Sequence, residues 1–195
     1  MTRVRPHDGM VEMDRAELAR RIQDACRLSG RFVLRSGQVS DVYFDKYLFE
    51  SDPGLLHAVA ELSAALVPED IEILAGLELG GIPISTALSL ATGLPQVLVR
   101  KEAKTYGTEK LAEGCGVSGR RVLVVEDVIT TGGQVVASTE ELRARGALVT
   151  SVLCVIDRRS APTGTADKLA DAGLSVLSLF TLKDLGGESV STPPS

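Results

Sequence analysis

Apolar residues recur along this chain in two alternating rhythms. Leu18, Ile22 and Ala25 fall on one side of a 3.6-residue period, and Asp14 ahead of them can cap the helix they predict, through about Leu28. Two short β-like segments follow, 31–37 and 42–49, joined through Gly37-Gln38. A helix from about Pro53 to Leu66 starts with proline, where the missing N–H costs nothing. Strands and helices then alternate: strand 71–76, helix 82–92, strand 95–100, a polar stretch 101–119, strand 121–127, helix 134–145, strand 147–156, a short helix near 165–172 and strand 174–181. Val122–Val125 and Val152–Ile156 are apolar at every position, as a parallel strand covered on both faces requires. The pattern predicts an α/β fold, a doubly wound, mainly parallel sheet flanked by helices and joined by right-handed crossovers. Residues 1–13 read as a loose arm and 186–195 as a frayed tail, leaving a single domain over 14–185.

Composition narrows the function classes. At 195 residues, 44% hydrophobic and 24% charged, the chain has the makeup of one globular domain. Its 21 Lys+Arg against 26 Asp+Glu leave a net charge of −5, the wrong sign for a general nucleic-acid binder. No apolar run approaches the roughly 18 residues of a membrane span, and the polar start MTRVRPHDGM predicts no signal peptide. Cys26, Cys115 and Cys154 are odd in number and far apart, so the expectation is a reduced, cytoplasmic protein without disulfides. With His7 and His57 as the only histidines, no zinc site can be assembled. The G-x-G-x-x-G at Gly114–Gly119 leads into a strand instead of opening a helix, so it is not a dinucleotide fingerprint.

The chemistry concentrates at the end of the predicted strand 121–127. There Glu126-Asp127 is followed by Val128-Ile129-Thr130-Thr131-Gly132-Gly133-Gln134 and a helix. Glycines let backbone N–H groups approach an anion, and a helix start adds partial positive charge, so the loop suits a phosphate. The carboxylates repel that phosphate; they suit sugar hydroxyls or a divalent cation. Together the two halves describe a site for ribose 5-phosphate. An ordinary strand–turn–helix joint with two exposed acids is the competing reading. The stretch from Arg100 to Lys110 carries four basic and two acidic residues and exceeds the usual connection of about 4–6 residues, which fits a functional lid closing over a diphosphate. A second glycine-rich turn, Gly76-Leu-Glu78-Leu79-Gly80-Gly81, follows another strand. Tyr43 and Phe44 are adjacent in a strand and must face opposite ways.

The string Val122–Gln134 resembles the phosphoribosyl diphosphate (PRPP) motif of the type I phosphoribosyltransferases. Three more segments make the chain similar to the orotate phosphoribosyltransferases: the hood-like Phe32–Asp45, the loop-like Arg100–Gly107, and Asp157-Arg158 at a strand end. The resemblance spans about residues 18–182. It implies a small N-terminal hood (about 14–52 with the C-terminal strand) on a core of about 53–172. It also implies transfer of 5-phosphoribosyl from PRPP to orotate, giving orotidine 5′-monophosphate and pyrophosphate in pyrimidine nucleotide synthesis. In that reading Lys101, Lys104, Glu126 and Asp127 carry the catalysis. PRPP is held by those four with Arg35, Leu79, Gly80, Arg100, Tyr106 and the loop Val128–Gln134. Orotate is held by Tyr43, Phe44, Thr130 and Arg158. Mg²⁺ is implied, held mainly by PRPP, as is a homodimer sharing the 100–110 loop across its interface, with neither nucleic acid nor membrane as partner. The sequence departs from the pattern at Arg35 and Gly80, where lysine is frequent, at Tyr106 in place of histidine, and at Asp41 in place of proline. Transfer to another base, or a PRPP-binding regulator, are the alternatives; the hood segment and the acidic charge weigh against them.

Overall fold

Asp14 caps the first helix as its position predicts, its carboxylate accepting from the N–H of Glu17 at 2.8 Å, a contact worth about 1 kcal/mol. A computed structural model describes residues 13–33, 37–101, 111–159 and 167–186. The elements in order are α1 (Arg15–Cys26), β1 (Arg27–Val33), β2 (Val39–Phe44), α2 (Tyr47–Glu50), α3 (Pro53–Ala64), β3 (Ile73–Leu77), α4 (Gly81–Thr92), β4 (Gln96–Val99), β5 (Ala112–Gly114), β6 (Arg121–Ile129), α5 (Gly133–Ala144), β7 (Leu148–Asp157), α6 (Lys168–Asp171) and β8 (Ser175–Thr181). Pro53 takes the first turn of α3, and Asp52 caps it by accepting from Gly54 and Leu55 at 2.8 and 2.9 Å.

Six strands form the core sheet in the order β5-β4-β3-β6-β7-β8, all parallel except β5, which runs antiparallel to β4 at one edge. Alternate residues of the central strand feed two separate cores. Leu123 and Val125 pack with α1, α3 and α4 (Leu18, Val59, Ile84, Leu88), whereas Val122 and Val124 pack with α5 and α6 (Val135, Leu142, Leu169). Each such fully buried side chain contributes about 1.5–3 kcal/mol by leaving water. The start of β6 is tied to β3's approach by charge: Arg120 donates to Glu72 Oε1 at 2.8 Å, and the Arg121 N–H donates to Glu72 Oε2 at 2.9 Å. Among the described residues no helix is long and apolar enough to cross a membrane.

The structure corrects the expected elements in four places. β1 begins directly after α1, at Arg27, because β2 pairs along it from Arg27 opposite Phe44. The strand expected over 42–49 stops at Phe44. Asp45 accepts from the N–H of Tyr47 at 3.1 Å and turns the chain into α2. β5 lies in the polar stretch expected to hold no strand; it is formed by pairing with β4 and has no apolar alternation of its own. The last strand, expected with the hood, closes the far edge of the core sheet against β7. Gly114 ends β5 and the chain then enters β6, so the G-x-G-x-x-G is indeed no nucleotide loop.

Candidate active site

Chain connectivity opens a crevice between β3 and β6. From β3 the chain passes through α4 to β4 on one side; from β6 it passes through α5 to β7 on the other. The two helices cover opposite faces of the sheet. A gap beyond the carboxyl ends of the two adjacent strands is the expected result, and such gaps receive ligands in doubly wound sheets. The two glycine-rich turns singled out in the sequence meet there.

Asp127 is fully buried and Glu126 nearly so. The N–H of Asp127 donates to Glu126 Oε1 at 3.0 Å, and the N–H of Val128 donates to Asp127 Oδ1 at 2.5 Å. Asp127 Oδ2 is paired with the Lys46 ammonium, which the hood segment delivers from just before α2. Glu50, at the end of α2 and 7% exposed, joins the cluster. Burial, reinforced by hydrogen bonding to Asp127 and by its charge, pushes both Glu50 and Glu126 up to about 9. Burial acts on Asp127 as well, but hydrogen bonds from Glu126 and Glu50 together with the Lys46 ammonium outweigh it and hold Asp127 below its ordinary value. Protons are therefore favoured on Glu50 and Glu126, and negative charge on Asp127, beside the Lys46 ammonium.

The turn after β3 owes its closeness to missing side chains. A Cβ on Gly80 would overlap the Asp127 carboxylate and stand 2.9 Å from Glu50 Oε1, and a Cβ on Gly81 would overlap the Val125 carbonyl. Leu79 is exposed beside them, and Glu78 Oε2 accepts from the N–H of Lys101 at 3.2 Å, which brings the start of the basic loop to this turn. Arg100 is held alongside, its N–H on the Leu111 carbonyl at 2.9 Å and its guanidinium 3.7 Å from Glu113.

On the other side of the acids, Thr130, Thr131, Gly133 and Gln134 are exposed, and α5 begins with no side-chain cap. The N–H groups of its first turn thus lack intrahelical acceptors and are available to an anion. Gly132 makes the turn in the left-handed region, φ +74°, with Leu169 of α6 packed where a side chain would go. Gln134 donates to Ser138 at 3.2 Å. Arg158 is tied to the end of β6, its N–H donating to the Ile129 carbonyl at 2.8 Å, while its side chain is exposed. The neighbouring Arg159 is spoken for: it forks onto Asp157 (2.8 and 3.0 Å) and onto Asp167 (2.9 and 3.0 Å), the residue that caps α6.

Of the predicted site residues, Leu79, Gly80, Glu126, Asp127 and the loop Val128–Gln134 converge on the crevice, with Lys101 attached through Glu78. Tyr43 is 43% exposed with its ring 5.4 Å from that of Phe32, while Phe44 packs onto the core; the hood segment carrying both runs directly into Lys46. Arg35, Lys104 and Tyr106 lie outside the described residues. Lys46, Glu50 and Arg159 were missed. A lysine two positions after an aromatic pair was a usable signal for the first. The others show only once the tertiary pairing is known.

Residues 49–177 match the phosphoribosyl transferase domain family. An orotate phosphoribosyltransferase of Nocardioides sp. is 55% identical over 170 residues, covering 87% of this chain and 93% of the relative. The crystal structure of the Mycobacterium tuberculosis orotate phosphoribosyltransferase with Fe(III) dicitrate superposes with a TM-score of 0.78 at 36% identity, covering 89% of this chain and 99% of that one. The same Mycobacterium tuberculosis enzyme in complex with PRPP gives a TM-score of 0.73 at 33% identity, with coverage of 89% and 99%. A crevice at the strand switch point, an acid pair opening onto an uncapped helix start, and these likenesses agree: the chain belongs to the orotate phosphoribosyltransferases of the phosphoribosyl transferase domain family.

Proposed function

We propose that this protein transfers the 5-phosphoribosyl group of PRPP to orotate, releasing pyrophosphate and orotidine 5′-monophosphate in pyrimidine nucleotide synthesis. The observation that carries the reading is the crevice between β3 and β6, which sets the buried acids Glu126 and Asp127 beside an uncapped helix start. The relatives at 55% and 36% identity name the base. In the reaction the C1–O bond to diphosphate breaks and a ring nitrogen of orotate bonds to C1, losing its proton. Positive charge builds on the ribose as the diphosphate leaves.

The residues divide the work. Peptide N–H groups of Thr131–Gln134 bind the 5′-phosphate at the start of α5. Glu126 and Asp127 take the ribose hydroxyls, and the negative charge on Asp127 favours the developing cation. Glu126, whose carboxyl burial pushes towards the protonated form, hydrogen-bonds the hydroxyl beside it. Lys101, with Arg100 and Lys104 of the same loop, neutralises the leaving diphosphate. Arg158 makes a bidentate bond to the orotate carboxylate, and Tyr43, Phe44 and Thr130 line the base.

Among the described residues no group of three His, Cys, Asp or Glu side chains is placed to hold a metal ion. The oxygens of PRPP are hard donors of the kind Mg²⁺ prefers, so the ion fits as one carried in by the substrate. When bound it adds charge stabilisation at the departing diphosphate. The reading includes a homodimer with the 100–110 loop shared between subunits and a cytoplasmic setting.

The test is direct. Protein, Mg²⁺ and PRPP are incubated separately with orotate, uracil, adenine and hypoxanthine, and pyrophosphate release is followed. Release with orotate alone supports the assignment. Turnover of a purine without orotate turnover rejects it.

A further inference from the structure

Lys46 has no role in the reaction as described so far, yet it is the only cation among the described residues paired with the acid cluster. Its ammonium sits on the fully buried Asp127 while 32% of its own side chain remains exposed. An ammonium has three N–H donors. Asp127 engages it on one side and the Tyr47 ring lies 5.2 Å away, which leaves donor capacity for a ligand entering the crevice. The turn at Gly80-Gly81 contributes no side chain, and its backbone closes directly on Asp127 and Glu50. Glu50 Oε1 is buried in the same place, beside Asp127 and the Gly80 turn.

The position of Lys46 along the crevice decides which part of a ligand it meets. Beyond Asp127 in one direction lie Gly132 and the start of α5, the phosphate side. In the other lies the Gly80 turn, packed against Glu50 Oε1 and against Asp127 Oδ2, the oxygen that holds Lys46. With the 5′-phosphate at α5 and the ribose over the acids, the anion left on the Gly80 side is the diphosphate.

We propose that Lys46 is a substrate-binding residue that, from its pairing with Asp127, passes to the diphosphate of PRPP as the ribose hydroxyls engage that carboxylate. Glu50 Oε1 accepts from one of those hydroxyls. The proposal rests on the PRPP reading above and extends it to a residue of the hood. No bond is made or broken in this exchange; one ion pair replaces another.

The test compares Lys46→Met and Lys46→Arg with the wild-type protein. PRPP affinity is measured by calorimetry with Mg²⁺ present, and the KM for orotate is measured at saturating PRPP. Loss of one charge-assisted contact predicts PRPP binding weaker by about 10- to 100-fold in Lys46→Met, with the KM for orotate near wild type. Lys46→Arg, which keeps the charge, recovers most of the affinity. A methionine variant that melts near the wild-type temperature and binds PRPP with undiminished affinity overturns the proposal. So does an arginine variant as weak as the methionine one. Should Lys46→Met fail to fold, Lys46→Gln, which can still bond to Asp127 without the charge, is measured in its place against the same expectations. Failure of the wild-type protein to bind PRPP overturns the functional reading and this proposal with it; wild-type binding with unaffected variants overturns this proposal alone.

Discussion

Replacing Gly132 with alanine probes the phosphate loop through two separable effects. The residue has φ +74°, and holding an L-residue in that region costs about 1–2 kcal/mol. The added Cβ would also stand 2.9 Å from Leu169 Cγ, and Leu169 is fully buried, so the crowding adds about 1–3 kcal/mol. The sum of about 2–5 kcal/mol corresponds to a fall of roughly 4–20 °C in Tm for a chain of this size. A double-mutant cycle separates the parts. Leu169→Ala alone leaves a cavity and costs about 2–5 kcal/mol. In the double variant the vacated room accepts the new Cβ, so the crowding disappears and only the backbone penalty remains. Urea denaturation at 25 °C should therefore find the double variant about 1–3 kcal/mol more stable than the sum of the single effects. Additivity within about 0.5 kcal/mol would refute the claim that α6 buttresses the loop.

Other outcomes follow from the same geometry. Arg159→Ala removes the fork that joins Asp157 to Asp167 and frees the strand end bearing Arg158. Steady-state kinetics should show the KM for orotate rising about tenfold, with a smaller effect on PRPP; an unchanged KM for orotate would mean Arg158 needs no such support. Glu50, held protonated up to about 9 by burial and by Asp127, binds a proton in the folded state that the unfolded chain releases above about 4.5. Stability must then fall as pH rises from about 5 towards 9, because the folded state holds more protons across that window. Glu50→Gln keeps the neutral form and should flatten part of that slope in denaturation curves; an unaltered slope would show that Glu50 is ionised in the folded protein.

Much of the core was legible because its signals are local. Consecutive apolar residues at Val122–Val125 marked a strand covered on both faces, Asp14 marked a helix start, and Glu126–Gln134 placed acids and glycines in one unbroken string. What escaped depends on partners distant in the chain. β5 exists because β4 offers it an edge, and its three residues carry no pattern to read. Lys46 and Glu50 were hidden in a segment whose aromatic residues resembled a strand; their role comes from Asp127, some eighty positions away. The upward pKa shift of Glu126 was equally unreadable, since it depends on burial and neighbours that the sequence does not display. Arg158 and Arg159 were distinguishable only when Asp167 was seen to claim the second.

Because β6 is apolar toward both cores, hydrophobicity alone would let it slip by one residue against β3 without exposing oil to water. Such a slip would turn Asp127 toward the opposite layer and carry it about 3.3 Å along the sheet, away from Gly80 and Lys46. Against it act the contacts of Arg120 and Arg121 with Glu72 at the far end of the strand, together with the pairing of β6 to β7. The alignment of the acid pair is thus braced by contacts some six residues away, at the opposite end of the strand.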